Sequence, residues 1–317
     1  MKTQLKRNSG HHFEKGSMNK ICLILVLINL WSCQSYDNDF ERSTIFIGTQ
    51  KFEILTGNKI IDDYLSYKPS YSRNVYRKIE EEFKENAEFP FLIEVLKPRI
   101  EQDVRLKEEI EVFKNINFKQ IVESTFPIVV DKLPGPDTKI LFMPANPAYK
   151  EIWESHGVSL HAVTPGAGKI IVMINPTIEN WQQLLPYALA HEYHHSVWIS
   201  RNFKRSDITL LEYLILEGRA DAFAIELFPD NHHPFINALS KEQEKRIWKI
   251  IKPELHFRDS DFNEKIMQGT KDIPIGSGYS IGFSIIKSLM KQNTEISNKE
   301  LIDMTAEEIL LLSKFNE

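Results

Sequence analysis

The chain has 317 residues, of which 42% are hydrophobic and 26% charged, and its formal net charge is −5. This composition is that of a globular protein with one large domain or two modest ones, and it excludes a mainly disordered or repetitive chain. The acidic balance, without a cluster of Lys and Arg, excludes the electropositive surface of a nucleic-acid-binding protein.

The first 33 residues are expected to be a targeting segment. An apolar run over residues 21–28 follows Lys20 and is too short to span a membrane, as in a secretory signal peptide. The Leu-Trp-Ser-Cys sequence at residues 30–33 resembles the lipobox of bacterial lipoproteins, in which the cysteine is acylated. That resemblance implies a protein of the bacterial cell envelope, outside the cytoplasm and anchored to the membrane by lipid on Cys33.

Details of this segment leave alternatives open. Trp31 is bulkier than the usual residue before a lipobox cysteine, so a plain signal peptide or a buried core segment is the alternative. Met18 opens a tidier signal than Met1 does, and either could be the true start. Gln34 follows the cysteine in place of the Asp that retains lipoproteins at the inner membrane, which favours the outer membrane. With cysteines only at positions 22 and 33, no disulfide framework is expected in the remainder.

After the signal, the sequence pattern divides the chain into a polar segment, a helical region and a third part that begins near residue 125. Residues 34–44 are polar and are expected to be a tether. Residues 45–124 are expected to be mainly helical, because pairs such as Ile79 with Phe83 and Leu92 with Leu96 recur at helical spacing. The sequence does not indicate what this helical N-terminal region does.

The pattern changes near residue 125, where short apolar runs bounded by Pro and Gly predict strands. These runs are Pro127–Val130, Lys139–Met143 and Lys169–Ile174. Helical patterns follow them to the end of the chain. Residues 125–317 are therefore predicted to form an α+β domain with a small β-sheet followed by a helical subdomain.

A His-Glu-x-x-His motif at residues 191–195 is the most informative feature of the sequence. On a helix His191 and His195 share one face, so both imidazoles can bind one zinc ion. Glu192 borders that face and can act as the base toward a water molecule activated by the metal. The alternative for the motif is a helix with partly buried histidines, and His194 is interpreted in that way, as a packing residue.

A second predicted helix can provide the third ligand that a catalytic zinc ion needs. It begins at the capping-box sequence Thr209-Leu210-Leu211-Glu212 and carries Glu217 and Asp221 one turn apart. Two carboxylates at that spacing repel each other, and a metal ion with a histidine partner would remove the penalty. Gly218 in the middle of this helix costs about 1 kcal/mol relative to Ala, which is understandable if another backbone passes close by.

The two motifs together resemble the gluzincins, zinc peptidases with His-Glu-x-x-His on one helix and Glu-x-x-x-Asp on the next. More narrowly, His-Glu-Tyr-His-His followed by Glu-Gly-x-Ala-Asp resembles a bacterial family of predicted zinc-dependent proteases. The resemblance covers roughly residues 125–290. It implies a zincin-like fold and one zinc ion per chain, held by His191, His195 and Glu217. It also implies that Asp221 orients a ligating histidine.

The resemblance further implies hydrolysis of peptide bonds, with Glu192 taking a proton from water and passing it to the leaving amine. Tyr279, in a glycine-flanked segment, is the candidate donor to the oxyanion, and Tyr193 and His256 are weaker candidates. A structural tyrosine at a helix start is the alternative for Tyr279. In gluzincins an edge strand before the metal helix pairs with an extended substrate, and Ile170–Ile174 is assigned that role by resemblance.

Three functions stay open at this point. The first is an active peptidase on peptide or protein substrates, either an endopeptidase or an aminopeptidase. The second is a catalytically silent lipoprotein that keeps the peptidase fold for binding or envelope assembly. The third is a metal-dependent amidase acting on cell-wall material. The presence of Glu192 favours the first over the second, because a scaffold needs no base beside the metal. The oligomeric state and the substrate are not indicated.

Overall fold

The computed structural model describes residues 39–67, 70, 72–97, 104–145 and 158–316. The strands are β1 (Glu41–Ile47), β2 (Gln50–Thr56), β3 (Thr138–Pro144), β4 (Leu160–Gly166) and β5 (Lys169–Ile174). The helices are α1 (Asn58–Tyr67), α2 (Arg77–Phe83), α3 (Val104–Phe113), α4 (Phe118–Lys132), α5 (Trp181–Asn202), α6 (Leu210–Leu227), α7 (Lys241–Ile251), α8 (Ser260–Gln268), α9 (Ser277–Gln292), α10 (Asn298–Leu301) and α11 (Ala306–Leu311). Among the described helices, none combines the length and the apolar character needed to cross a membrane.

The strands form one five-stranded mixed sheet in the order β1-β2-β3-β5-β4. β2, β3 and β5 run parallel, whereas β1 and β4 pair antiparallel with their neighbours. Residues Ile170 to Ile174 of β5 are fully buried, because helices or neighbouring segments cover both faces of a parallel strand. With the helices that follow the sheet, this arrangement confirms the predicted α+β fold.

The hairpin of β1 and β2 lies partly in the expected tether, residues 34–44, and partly in the region 45–124, whose other described elements are helical as expected. The two strands turn at Gly48, whose φ of 60° lies in the left-handed region that glycine tolerates. Residues 41–44 are therefore part of the sheet and not a tether. β2 lies beside β3, with Phe52 opposite Thr138, so the sheet begins long before residue 125. A pairing between residues so far apart in the sequence leaves no local periodic signal.

The strand predicted at Pro127–Val130 is wrong, because these residues belong to α4. The apolar residues Phe118, Val122, Phe126 and Val129 are buried along one stripe of that helix. A run of four apolar residues fits a buried strand or a buried helix equally well, and only the period over a longer window distinguishes them.

The strand β5, to which substrate pairing was assigned, is not an edge strand. β5 lies between β3 and β4 and is paired with both, so the backbone of Ile170–Ile174 is not available to another chain. In the part of the chain that the structure describes, β4 forms the edge on this side. The register of β4 against β5 shifts between Val163 and Gly166. Within this irregular stretch, the Phe89 N–H donates to the Pro165 carbonyl at 2.8 Å and covers that end of the strand.

Two hydrophobic cores lie on either side of the pair α5 and α6. The sheet-side core combines the sheet with α4 and α5, and the helical core combines α6 with α7, α9 and α11. Members of the sheet-side core include Phe52, Phe126, Ile171, Leu189 and Tyr193. Members of the helical core include Leu211, Leu214, Ile247, Ile285 and Ile309.

Helix α6 crosses α9 with the two backbones in contact at glycines. A Cβ atom added to Gly218 would lie 2.3 Å from the carbonyl oxygen of Gly282, and one added to Gly282 would lie 2.1 Å from the carbonyl oxygen of Leu214. Carbon and oxygen atoms cannot approach so closely, so both positions require glycine. The expectation that another backbone passes close to Gly218 is confirmed.

Candidate metal centre

Helix α5 carries the His-Glu-x-x-His motif in its buried middle. Asn180, with φ of 79° in the left-handed region, turns the chain into this helix. His191, Glu192 and His195 are 8%, 7% and 8% exposed. Because residues four apart share one face of a helix, the two imidazoles point the same way. Their Nε2 atoms lie 2.9 Å apart.

Helix α6 begins at the predicted capping box, which is confirmed. The Glu212 N–H donates to the Thr209 hydroxyl oxygen at 3.1 Å, and the Thr209 N–H donates to the Glu212 carboxylate at 2.6 Å. The helix then runs beside α5 and brings Glu217 and Asp221 to His191. These two acidic side chains are 8% and 1% exposed, which is unusual for carboxylates unless they are paired or bind a metal.

Glu217 completes a triangle with the two histidines. Its Oε2 atom lies 3.3 Å from Nε2 of His191 and 3.5 Å from Nε2 of His195. Atoms bound at 2.0–2.1 Å to one tetrahedral zinc ion are about 3.3 Å from each other. The observed separations of 2.9 to 3.5 Å therefore fit a single zinc ion, with one of its four coordination positions left for a non-protein ligand. Among the described residues, these three form the group of side chains that could hold a metal ion.

The electrostatics of the triangle favour a bound cation. Burial alone would raise the pKa of the Glu217 carboxyl, but the His195 and His191 imidazoles hold that pKa well below its usual range. Burial alone would lower the pKa of His191, but Asp221 and Glu217 raise it well above its usual value. The two buried carboxylates thus stabilise positive charge at this point. A divalent ion provides that charge and leaves the ligand nitrogens unprotonated.

Asp221 lies behind the triangle and orients His191. The Nδ1 atom of His191 donates to Oδ1 of Asp221 at 2.9 Å, which leaves Nε2 free to face the metal position. The Tyr187 hydroxyl donates to the same Asp221 oxygen at 2.5 Å. Sequence reasoning identified Asp221 and missed Tyr187. The available signal was the position of Tyr187 four residues before His191, on the same helical face.

Glu192 lies beside the triangle and outside it. Its side chain contacts the Thr164 hydroxyl of β4, with 2.7 Å between the hydroxyl oxygen and Oε2 of Glu192. The same hydroxyl oxygen is 2.9 Å from the Glu192 carbonyl oxygen. Burial raises the pKa of Glu192, and His195, His191 and the Thr164 hydroxyl oppose that rise. The sequence held no signal for Thr164, because its contact with α5 depends on the position of β4 in the sheet.

Tyr279 lies in the first turn of α9, the helix whose backbone contacts α6 at Gly218, next to Glu217. Its ring contacts the rings of His233 and Phe235, with centroids 5.9 and 6.2 Å away. Burial raises the pKa of the Tyr279 hydroxyl well above its usual value, and the negative charge of Glu217 adds to the rise. The phenol therefore stays protonated and able to donate a hydrogen bond at neutral pH.

The other sequence candidates lie elsewhere. Tyr193 points into the sheet-side core, where its hydroxyl donates to Oε1 of Gln50 at 3.0 Å. His256 is exposed at the turn before α8. His194 is buried against Phe223, with 5.6 Å between ring centroids, in agreement with its interpretation as a packing residue. Cys33 and the rest of the targeting segment lie outside the described residues.

The chain is similar over part of its length to a curated protein and to a solved structure. Uncharacterized protein YjfC of Bacillus subtilis (strain 168) is 29% identical to this chain over 138 residues, which are 40% of this chain and 46% of that protein. A solved aminopeptidase N family protein of Idiomarina loihiensis matches 88% of this chain and 42% of its own at 10% identity. Its TM-score of 0.37 is too low for that likeness to bear on fold or function. The chain spans less than half of the length of either protein.

Residues 118–311, from α4 to α11, match a family described as Predicted Zn-dependent protease (DUF2268). The match includes both motif helices and the three strands nearest to them. It extends over more than half of the chain, so the protein belongs to this family of predicted zinc-dependent proteases.

Proposed function

We propose that the protein is a zinc-dependent peptidase. The observation that carries the proposal is the spacing of the three ligand atoms of His191, His195 and Glu217, which fits that of ligands around a tetrahedral zinc ion. A structural zinc site uses four protein ligands, whereas a catalytic site uses three and keeps one position open. Three buried ligands beside a buried glutamate support the catalytic kind of site.

His191, His195 and Glu217 would hold one zinc ion, and Asp221 would keep the proton of His191 on Nδ1. When bound, zinc would supply Lewis-acid activation of water and of the scissile carbonyl. Glu192 would accept the proton of the attacking water and transfer it to the leaving amine. The Thr164 hydroxyl would hold the Glu192 carboxylate in one orientation while it does so.

Tyr279 would donate a hydrogen bond to the oxyanion that forms as water attacks the carbonyl. Its raised pKa, to which the negative charge of Glu217 contributes, and its ring contact with His233 support this role. Replacement of Tyr279 by Phe is expected to lower kcat by about 10²-fold, by analogy with other oxyanion donors, while zinc content stays full. Unchanged turnover would remove Tyr279 from the mechanism.

β4 would take the role first assigned to β5 and bind the extended substrate by strand addition. The Asn175 N–H donates to the Ser159 carbonyl at 2.8 Å, so hydrogen-bonded pairs with β5 recur at every second residue, at His161 and Val163. The backbone groups of Leu160 and Ala162 then face the edge. The contact of Thr164 with Glu192 at the end of this strand supports a substrate path beside the base.

The location of the protein is part of the same proposal. The lipobox-like sequence around Cys33 supports a lipid-anchored protein of the bacterial envelope, which would act on peptide or protein substrates outside the cytoplasm. Metabolic labelling with a radioactive fatty acid should mark the wild-type protein and leave a Cys33→Ser variant unmarked. Equal labelling of both proteins would contradict this location.

The experiment that tests the proposed function starts with the zinc content of the purified full chain. We expect one zinc ion per chain in the wild type and a strong loss in His195→Ala and Glu217→Ala. The matched controls are His232→Ala and Glu242→Ala, which remove exposed side chains of the same types and should keep full zinc. A wild-type protein that takes up no zinc would refute the metal site.

The second step measures cleavage of a mixed peptide library. Wild-type protein should cleave peptide bonds, and Glu192→Gln should retain zinc and lose cleavage. Zinc binding without any peptide cleavage would favour the silent lipoprotein or the cell-wall amidase. Hydrolysis of purified cell-wall material would then distinguish between those two.

A further inference from the structure

A buried hydrogen-bond chain runs from the metal triangle through Asp221 to Tyr187. Tyr187 is 3% exposed and lies one helical turn before His191 on α5. Its hydroxyl donates to Oδ1 of Asp221 at 2.5 Å, and the same oxygen accepts from Nδ1 of His191 at 2.9 Å. Both hydrogen bonds are therefore made to one atom, on the side of Asp221 that faces α5.

The position of Asp221 depends strongly on this hydroxyl. Among the described residues, no hydrogen-bond partner is found for the other carboxylate oxygen, Oδ2. Without the Tyr187 hydroxyl, the buried carboxylate would keep one hydrogen bond, to His191, and could rotate about its terminal bond. A carboxylate needs several donors to be held in one orientation in a water-poor site.

Tyr187 also lies near the segment that follows α6. There the backbone of His233 opposes the rise that burial and Asp221 cause in the pKa of the Tyr187 hydroxyl. The ring of His233 in turn packs against Tyr279, with 5.9 Å between centroids. The phenol thus binds the orienting partner of a metal ligand and lies near the segment that contacts Tyr279.

We propose that Tyr187 is a positioning residue for the metal site, which holds Asp221 and through it sets the orientation and proton position of His191. The proposal rests on the zinc site proposed above. It adds one residue to those that hold the metal ligands in place. Partners of metal ligands raise metal affinity because they fix the imidazole in its binding orientation and increase its basicity. Tyr187 would act one step further out, through Asp221.

The chain offers a matched control on the same helix. Tyr193 is also fully buried and also donates its hydroxyl to one side-chain oxygen, Oε1 of Gln50 at 3.0 Å. It faces the sheet-side core and not the metal triangle. Both Tyr→Phe substitutions remove one buried hydroxyl and leave the ring in place, so both should reduce the free energy of unfolding similarly.

The test measures zinc affinity of the full chain by competition with a chromogenic chelator. We expect Tyr187→Phe to bind zinc about 10-fold more weakly than wild type, at the lower end of the effect of groups that support metal ligands through hydrogen bonds, and Tyr193→Phe to bind as wild type does. The visible absorption bands of the Co²⁺-loaded protein should shift in Tyr187→Phe and stay unchanged in Tyr193→Phe. Equal affinities and equal spectra in the three proteins would overturn the role of Tyr187.

A double-mutant cycle tests whether Tyr187 acts through Asp221. Asp221→Ala should weaken zinc binding by about 10- to 100-fold. Adding Tyr187→Phe to it should cause no further loss, because the hydroxyl then has no carboxylate to hold. Additive losses would overturn action through Asp221. Failure of wild-type protein to bind zinc would refute the proposed function itself, and zinc binding that is insensitive to Tyr187 would refute this inference alone.

Discussion

Helices α5 and α6 both contribute to the candidate metal centre, yet they belong to different parts of the molecule. α5 packs into the sheet-side core through residues such as Leu189 and Val197. The first half of α6 packs into the helical core through residues such as Leu211 and Leu214. The two histidines come from one helix and Glu217 from the other. Neither core holds a complete ligand set, so the geometry of the site depends on how the two helices pack against each other.

The contact between α6 and α9 lies on a face of α6 next to the face that carries Glu217. Glu217 faces α5, whereas its neighbour Gly218 touches the backbone of α9. Because adjacent residues on a helix are about 100° apart, any side chain at 218 would push α6 away from α9. Glu217 therefore keeps its position relative to the histidines only if residue 218 has no side chain.

The largest effect on the packing of α5 and α6 at the metal centre is expected from Gly218→Ala. The new Cβ would meet the Gly282 carbonyl oxygen at 2.3 Å, and backbone cannot move aside as a flexible side chain can. We expect a loss of about 3 kcal/mol in the free energy of unfolding, together with weaker zinc binding. Gly48→Ala is the control, because its Cβ meets nothing within 4 Å. It should cost about 1 kcal/mol through its positive φ and leave zinc affinity unchanged. Chemical denaturation and zinc titration measure both effects.

The next effect concerns the link that zinc would form between α5 and α6. A ligand that binds only the folded state at 100 times its dissociation constant stabilises that state by about 2.7 kcal/mol. Removal of zinc by a chelator should therefore lower the midpoint of thermal unfolding of the wild type. Glu192→Gln should show the same shift, and Glu217→Ala should show almost none. A shift in Glu217→Ala as large as that of the wild type would mean that zinc binds elsewhere.

The two helices were also the part of the molecule that the sequence predicted best. The metal motif, the capping box at Thr209 and the requirement for glycine at 218 are local signals, and each depends on residues within about one or two turns. The pairing of Asp221 with a ligating histidine followed from known chemistry of metal sites, because a ligating imidazole needs a partner for its other nitrogen. That this histidine is His191 came from the structure.

The sheet was predicted poorly, for a physical reason. Strand order depends on contacts between distant residues, such as Phe52 with Thr138, and the sequence within one strand does not reveal its neighbours. The interior position of β5 and the edge position of β4 could not be distinguished for the same reason. Thr164 was missed because only the place of β4 beside α5 gives it a role.

If β4 binds the substrate, a proline in β4 should reduce activity, whereas a proline in the interior strand β5 should reduce stability. Ala162→Pro removes a backbone N–H that faces the edge, so we expect a loss of at least about 10-fold in kcat/KM with little change in stability. Ile171→Pro, in the interior strand β5, removes a ladder hydrogen bond and should cost about 3 kcal/mol or more of folding free energy. Peptide cleavage and thermal unfolding of the two variants test the assignment. Full activity in Ala162→Pro would mean that the substrate lies elsewhere.

The smallest effect is expected from Thr164→Val, which tests a connection between the sheet and the base on α5. The substitution keeps the shape of the side chain and removes the hydroxyl that contacts Oε2 of Glu192 at 2.7 Å. A carboxylate free to rotate spends less time in the orientation that accepts the proton, so kcat should fall about 10-fold while KM and zinc content stay unchanged. Thr164→Ser keeps the hydroxyl and should restore most of kcat. If Ser lowers kcat and Val does not, the methyl packing of Thr164 matters and its hydrogen bond to the base does not.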